Sequence, residues 1–109
     1  VRWNLSIQSL NPGSTQKLTS SDTAVGLPSD TFVSEGKPIC GCIILVEIAP
    51  IRCGLNVTPT QAGLGMKFEP GWTIVLQSNE EVKAFQYISA ETGVAATLQY
   101  TPQYPIVRD

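Results

Sequence analysis

The chain has 109 residues, enough for one domain that buries about 60–70% of the surface its unfolded form exposes. Charged residues are only 15% of it, against about 25% in ordinary soluble proteins, while apolar residues make up 42% and the net charge is −2. These values exclude a basic nucleic-acid binder, since no two of the seven cations are adjacent, and the longest apolar run, Ile43 to Val46, is far too short for a membrane span.

In chain order, Trp3, Leu5 and Ile7 alternate with Asn4, Ser6 and Gln8, the period of a half-buried strand, which Asn11-Pro12-Gly13-Ser14 then breaks. Residues 1–35 read as a polar N-terminal strand and a Ser/Thr-rich connection with short or edge strands at Thr23 to Pro28 and Thr31 to Val33. Residues 36–109 read as the core, within one domain spanning 1–109. The strongest element, Ile39 to Ile48, is apolar on both faces and predicts a central strand of about 33 Å.

Ala49-Pro50 ends that strand, and Ile51 to Val57 is expected as a short return strand. A loop follows over Thr58 to Gly65, and Glu69-Pro70-Gly71 then forms a turn between Met66–Phe68 and the strand beginning at Trp72. Val82, Phe85 and Ile88 are spaced by three, which admits a helical turn. The lack of a sustained helical face favours a strand entered through a bend. Val94, Ala96, Leu98 and Tyr100 alternate as a last strand, closed by Thr101-Pro102. About eight short strands without a periodic helix predict an all-β antiparallel sandwich, jelly-roll-like or immunoglobulin-like.

Chemistry is sparse. No histidine is present, so no Ser-His or Cys-His pair can form. Glu35, Glu47 and Glu69 fall near strand ends with nothing to bring them together, and the Pro-Gly turn lacks the histidine ligands that follow such a turn in cupins. No catalytic residue, metal, cofactor, nucleic-acid or membrane partner is expected. Cys40, Cys42 and Cys53 are expected as free, mostly buried thiols: residues i and i+2 of one strand make a poor disulfide, and Cys53 lies several positions from either cross-strand partner. Free thiols, and an opening segment unlike a secretory signal, predict assembly in a reducing cytoplasm. Trp72, just after a turn, is the best candidate among Trp3, Trp72, Tyr87, Tyr100 and Tyr104 for a sugar platform, against the alternative that these rings pack the core.

From about Ile44 to Thr101 the chain resembles a family of small structural proteins of tailed-bacteriophage virions. The resemblance is carried by Ala49-Pro50-Ile51-Arg52, Thr58-Pro59-Thr60 with Gly63, Pro70-Gly71 leading to Ile74 and Leu76, Val82/Phe85/Ile88, and Leu98 with Tyr100. Asn56-Val57-Thr58 departs from the Asp-Gly-Thr often found there. The resemblance implies a β-sandwich virion protein: a capsid decoration or cement protein, often trimeric, that contacts the major capsid protein. Alternatives are a head-tail joining or tail component, or a carbohydrate- or receptor-binding module. The expected contact residues are Arg52, Thr58, Pro59, Thr60, Gly63, Trp72 and Lys17, with the polar stretch Thr15 to Ser21.

Overall fold

The computed structural model of the chain describes residues 11–105; the predicted strand at Trp3 to Ile7 lies outside them. Among the described residues there are eleven strands, nine in two sheets and two in a separate hairpin. They are β1 (Asn11–Pro12), β2 (Gln16–Thr19), β3 (Val25–Gly26), β4 (Val33–Ser34), β5 (Lys37–Pro38), β6 (Gly41–Glu47), β7 (Ile51–Leu55), β8 (Met66–Phe68), β9 (Thr73–Leu76), β10 (Phe85–Ser89) and β11 (Thr97–Tyr104). Among the described residues one α-helix, α1 (Asn79–Ala84), precedes β10, and a 3-10 turn at Ser29–Thr31 precedes β4. The first sheet runs β1-β11-β6-β9 with β2 also on β11, the second runs β3-β10-β7-β8, and β4-β5 is a separate hairpin.

Most connections cross from one sheet to the other, the exception being β7 to β8, which lie side by side in the second sheet. With β1 and β2 counted as one interrupted strand, the eight are ordered 1-8-3-6 in one sheet and 2-7-4-5 in the other, the double Greek key of a jelly roll. That order decides between the two sandwiches the alternation pattern allows. It also corrects the expectation that Ile51 onward returns beside the long strand: β7 pairs with β10 and β8, never with β6.

The core forms between the sheets from the inward residues of each strand. Cys42, Ile44 and Val46 of β6, Leu98, Tyr100 and Tyr104 of β11, and Ile74 and Leu76 of β9 meet Ile51 and Cys53 of β7 with Phe85 and Tyr87 of β10. The long strand is shorter than expected, Gly41–Glu47, and is indeed central, but its outward face is open: Ile43 is exposed and Leu45 half-buried. Gly41 is required for close approach, because a Cβ there would stand 2.6 Å from the Leu76 carbonyl oxygen of β9.

One expectation about a chain break is corrected by β11. It continues through Thr101-Pro102 to Tyr104 instead of closing there. Pro102 is tolerated because its carbonyl accepts from Gly13 N–H at 2.8 Å, so its missing N–H faces the β1–β2 interruption rather than β6. Pairing there slips from Pro12↔Gln103 to Gln16↔Tyr100, leaving Gly13, Ser14 and Thr15 against Thr101 and Pro102, a bulge. Residues 11–35 thus belong to both sheets.

Both sequence readings of Asn79 to Ser89 hold in turn, a helix of six residues and then a strand of five. Ser78 caps α1, its hydroxyl accepting from Glu81 N–H at 3.1 Å, while the Glu81 carboxylate accepts from Gln77 N–H at 2.8 Å. The three cysteines are free, with Cys42 and Cys53 buried and Cys40 half-buried. Burial pushes the Cys42 thiol up to about 12 and that of Cys53 up to about 11.

Candidate interaction surface

At the β8/β9 side of the sandwich the two sheets end without a further strand among the described residues. Ile74 and Leu76 of β9 are covered by the facing sheet, but Met66 and Trp72 at the seam are not. Met66 is 67% exposed, and Trp72, entering β9 from the Pro70-Gly71 turn, is 52% exposed with its ring edge-on to Phe68 at 5.8 Å. Between the strands lies a cavity of about 110 Å³ with purely apolar lining, including Cys53, Leu55, Met66, Phe68, Ile74 and Phe85.

β9 is the more open of the two edges. Val46 N–H donates to the Trp72 carbonyl at 3.0 Å, and pairing proceeds as Thr73↔Leu45, Ile74↔Ile44, Val75↔Ile43. By antiparallel alternation the amides and carbonyls of Thr73 and Val75 therefore point away from the sheet. Thr73-Ile74-Val75-Leu76 carries no charge, and its outward side chain Val75, 55% exposed, stands beside exposed Ile43. β8 by contrast has Lys67, paired with Glu69 at 3.6 Å on the rim. Exposed strand edges are commonly blunted by lysine, proline or bulges; Thr73–Leu76 itself has none of these, the Gly71-Trp72 bulge opposite Val46 lying just before it, and carries no charge on either face.

The expected contact residues separate into three places. Arg52, Thr58, Pro59, Thr60 and Gly63 come together where the loop 56–65 returns over the outer face of the second sheet. The Arg52 guanidinium donates from Nη1 to the Gly65 carbonyl at 3.2 Å, while its Nε is buried without a partner among the described residues. Pro59 is fully buried, and Gly65, at φ 108, leaves no room for a Cβ, which would meet the Cys53 carbonyl oxygen at 2.9 Å. Pro59 therefore serves this chain's own packing, and Arg52 is a loop anchor, whereas Thr58, Thr60 and Gly63 face solvent. Trp72 lies at the β8/β9 seam. Lys17 projects from β2 beside Gln99, at the opposite margin of the first sheet. In the Thr15 to Ser21 stretch, Thr15 bonds Thr101 at 2.7 Å and Ser20 is buried against Ser89 at 2.7 Å.

The loop is tied to two others by one carboxylate. Asp22 Oδ1 accepts from Gly93 N–H and from Gln61 Nε2, each at 3.0 Å, and Thr92 Oγ1 donates to Gln61 Oε1 at 3.0 Å. The Gly93 N–H first, then Gln61, holds the Asp22 carboxyl below its ordinary value.

Of the rings considered for a sugar platform, Tyr87, Tyr100 and Tyr104 are buried in the core, and Trp3 lies outside the described residues. Glu35, Glu47 and Glu69 are spread over a hairpin turn, the end of β6 and the β8–β9 turn. Among the described residues no three His, Cys, Asp or Glu side chains gather as a metal site, and no helix is long and apolar enough to cross a membrane. Sequence reading missed Met66, Leu55 and Val75, because a two-residue period marks the side a residue faces but not whether its strand is central or an edge. The available signal was negative: β9 is a short apolar strand with no charge on it. Compared with known proteins, the chain has no significant match to a family model, a curated protein or a solved structure.

Proposed function

We propose that the protein is a non-enzymatic structural subunit of a tailed-bacteriophage virion, a capsid decoration or cement protein that works by burying its β8/β9 margin against neighbouring proteins of the shell. The observation that supports an interface role is β9, an uncharged strand with a free hydrogen-bonding edge, an apolar cavity on one face and Ile43 with Val75 on the other. Leaving such an edge bare invites pairing with another chain, so its retention without lysine or proline argues for a partner. The virion setting rests on the ordered sequence motifs, one of which, Pro70-Gly71 leading to Ile74 and Leu76, forms this margin. A jelly roll is shared by capsid proteins, lectins and cupins, so the fold alone does not assign the role.

In this reading each copy adds a standard interface of roughly 1,600 Å² in total across capsid-subunit junctions, and many repeated copies stiffen the shell. Few charges need desolvation, since β9 is uncharged and β8 carries Lys67, paired with Glu69 at the rim. The major capsid protein is the partner, a homo-oligomer the working form, and the assembled particle the location. Co-sedimentation with emptied capsids tests this. Pelleting with shells supports it; failure to pellet, with binding to tail assemblies or to a glycan array instead, transfers the role to a joining or tail component or to a receptor-binding module.

A further inference from the structure

The β9 edge and the sequence before β1 fit each other, but not within one copy. Trp3, Leu5 and Ile7 alternate with Asn4 and Ser6, so an extended segment 3–7 would present three apolar side chains to one face. The chain enters the described fold at Asn11, which pairs with Tyr104 on β11 at one margin of the first sheet. β9 is the opposite margin, in the order β1-β11-β6-β9. A strand added outside β9 would lie four spacings from β1, about 19 Å at ~4.8 Å each. From Ile7 to Asn11 the chain covers at most about 14 Å, four residues at ~3.5 Å. A copy cannot cover its own β9 edge with residues 3–7.

We infer that residues 3–7 of one copy add as a strand to the free edge of β9 in a second copy, pairing with the outward amides and carbonyls of Thr73 and Val75. Trp3, Leu5 and Ile7 then face the seam beside Met66 and Trp72, with Leu5 over the cavity. Its volume, about 110 Å³, is below the ~150 Å³ of an apolar cavity that admits benzene and suits one aliphatic side chain. The chain enters the fold at the β1 margin and the acceptor edge is the opposite one, so the contact is heterologous and closes as a small ring or a reciprocal exchange. This inference rests on the reading of β9 as an interface and names its occupant as a second copy.

The test uses two variants of the full chain. Val75→Pro removes an outward-pointing N–H without touching the β6 ladder, and Leu5→Glu places a charge in the donor segment while leaving the edge intact. Light scattering on a sizing column should give an oligomer for the unmodified protein and the 11.7 kDa monomer for each variant, with unchanged far-ultraviolet circular dichroism. An equimolar mixture of the two should recover a species of twice the monomer mass, since one supplies a working donor and the other a working edge. Thr73→Pro, which removes the other outward amide, replaces Val75→Pro if that variant does not fold. A monomeric unmodified protein, a variant that keeps the full oligomer mass, or a mixture that stays monomeric overturns the exchange. Capsid co-sedimentation separates the two proposals. An oligomer that ignores shells leaves the exchange standing and removes the shell role; a monomer that pellets with shells does the reverse.

Discussion

Thr31 ties three parts of the fold together with one hydroxyl and one carbonyl. Its Oγ1 donates to Pro28 O at 2.6 Å, so the Tyr100 hydroxyl, 2.7 Å away, must be the donor in the bond between them, and Tyr104 donates to the Thr31 carbonyl. Thr31→Val would leave the fully buried Tyr100 hydroxyl without a partner, whereas Tyr100→Phe removes donor and need together. Thermal or urea denaturation should show a loss of about 1–3 kcal/mol for Thr31→Val and about 1 kcal/mol for Tyr100→Phe. Equal losses would mean that the hydroxyl finds another acceptor. Burial holds the Tyr100 phenol up to about 12, so stability is intact below its unfolded value near 10 and falls as pH rises from there through 12. Asp22 has the opposite sign. Its lowered carboxyl supports the three-loop tie above the ordinary value of 3.8, and this support is lost as pH falls through the lower folded value. A carboxyl titration by NMR should place the Asp22 midpoint below 3.8 and move it upward in Gln61→Ala; no movement would assign the whole effect to the Gly93 amide. The burial of Ser20, Thr31 and Ser89 was not legible beforehand, because a buried hydroxyl is identified only by its partner, and those partners lie 69 residues away in sequence.

Ile48 shows what is lost when an element is read from composition alone. It continues an apolar run and reads as strand, but it adopts φ 77 in the turn after β6 and is 77% exposed. A β-branched residue in the left-handed region costs on the order of 1–2 kcal/mol, and little burial offsets it here. Ile48→Gly should therefore raise stability by about 1 kcal/mol in a denaturant titration; a loss would show that the side chain holds the turn. If the same variant also weakens shell co-sedimentation, the exposed isoleucine is retained for contact rather than for folding. Other elements were open to reading and partly read. The alternation of β9 and of Leu98 with Tyr100 was plain, and the Glu35-Gly36 hairpin shows both residues at positive φ, as a two-residue primed turn requires. Ser78-x-x-Glu81 is a capping-box pattern that marks the start of α1 directly in the sequence, and spacing by three alone did not reveal it. Pro102 misled because proline usually stops a strand, and only the bulge opposite explains why this one does not.

For the whole molecule, fold class was readable because eight short alternating segments with no sustained helix leave few architectures. Strand order was not, because alternation fixes the faces of each strand and says nothing about its neighbours. The candidate surface depends on that order. Trp72 was singled out from its turn, yet Lys17, grouped with it, lies at the other margin of the same sheet, with β11 and β6 between β2 and β9. This separation gives the interface proposal a sharp internal control. Val75 is exposed and outward, so Val75→Lys blunts the edge as natural edge strands are blunted without a cavity or a buried charge. Unfolding should shift by no more than about 0.5 kcal/mol, the usual range for a surface change. Shell binding should weaken at least about 30-fold, the loss expected of a central contact worth ~2 kcal/mol. Lys17→Ala, changed at the far margin, should leave binding within about twofold, within the ~0.5 kcal/mol spread of surface substitutions. If Lys17→Ala weakens binding as much as Val75→Lys, both margins of the sheet are engaged and the partner wraps the subunit. If only Lys17→Ala does so, the contact belongs to the β2 margin, and the open edge of β9 is left to contacts between copies.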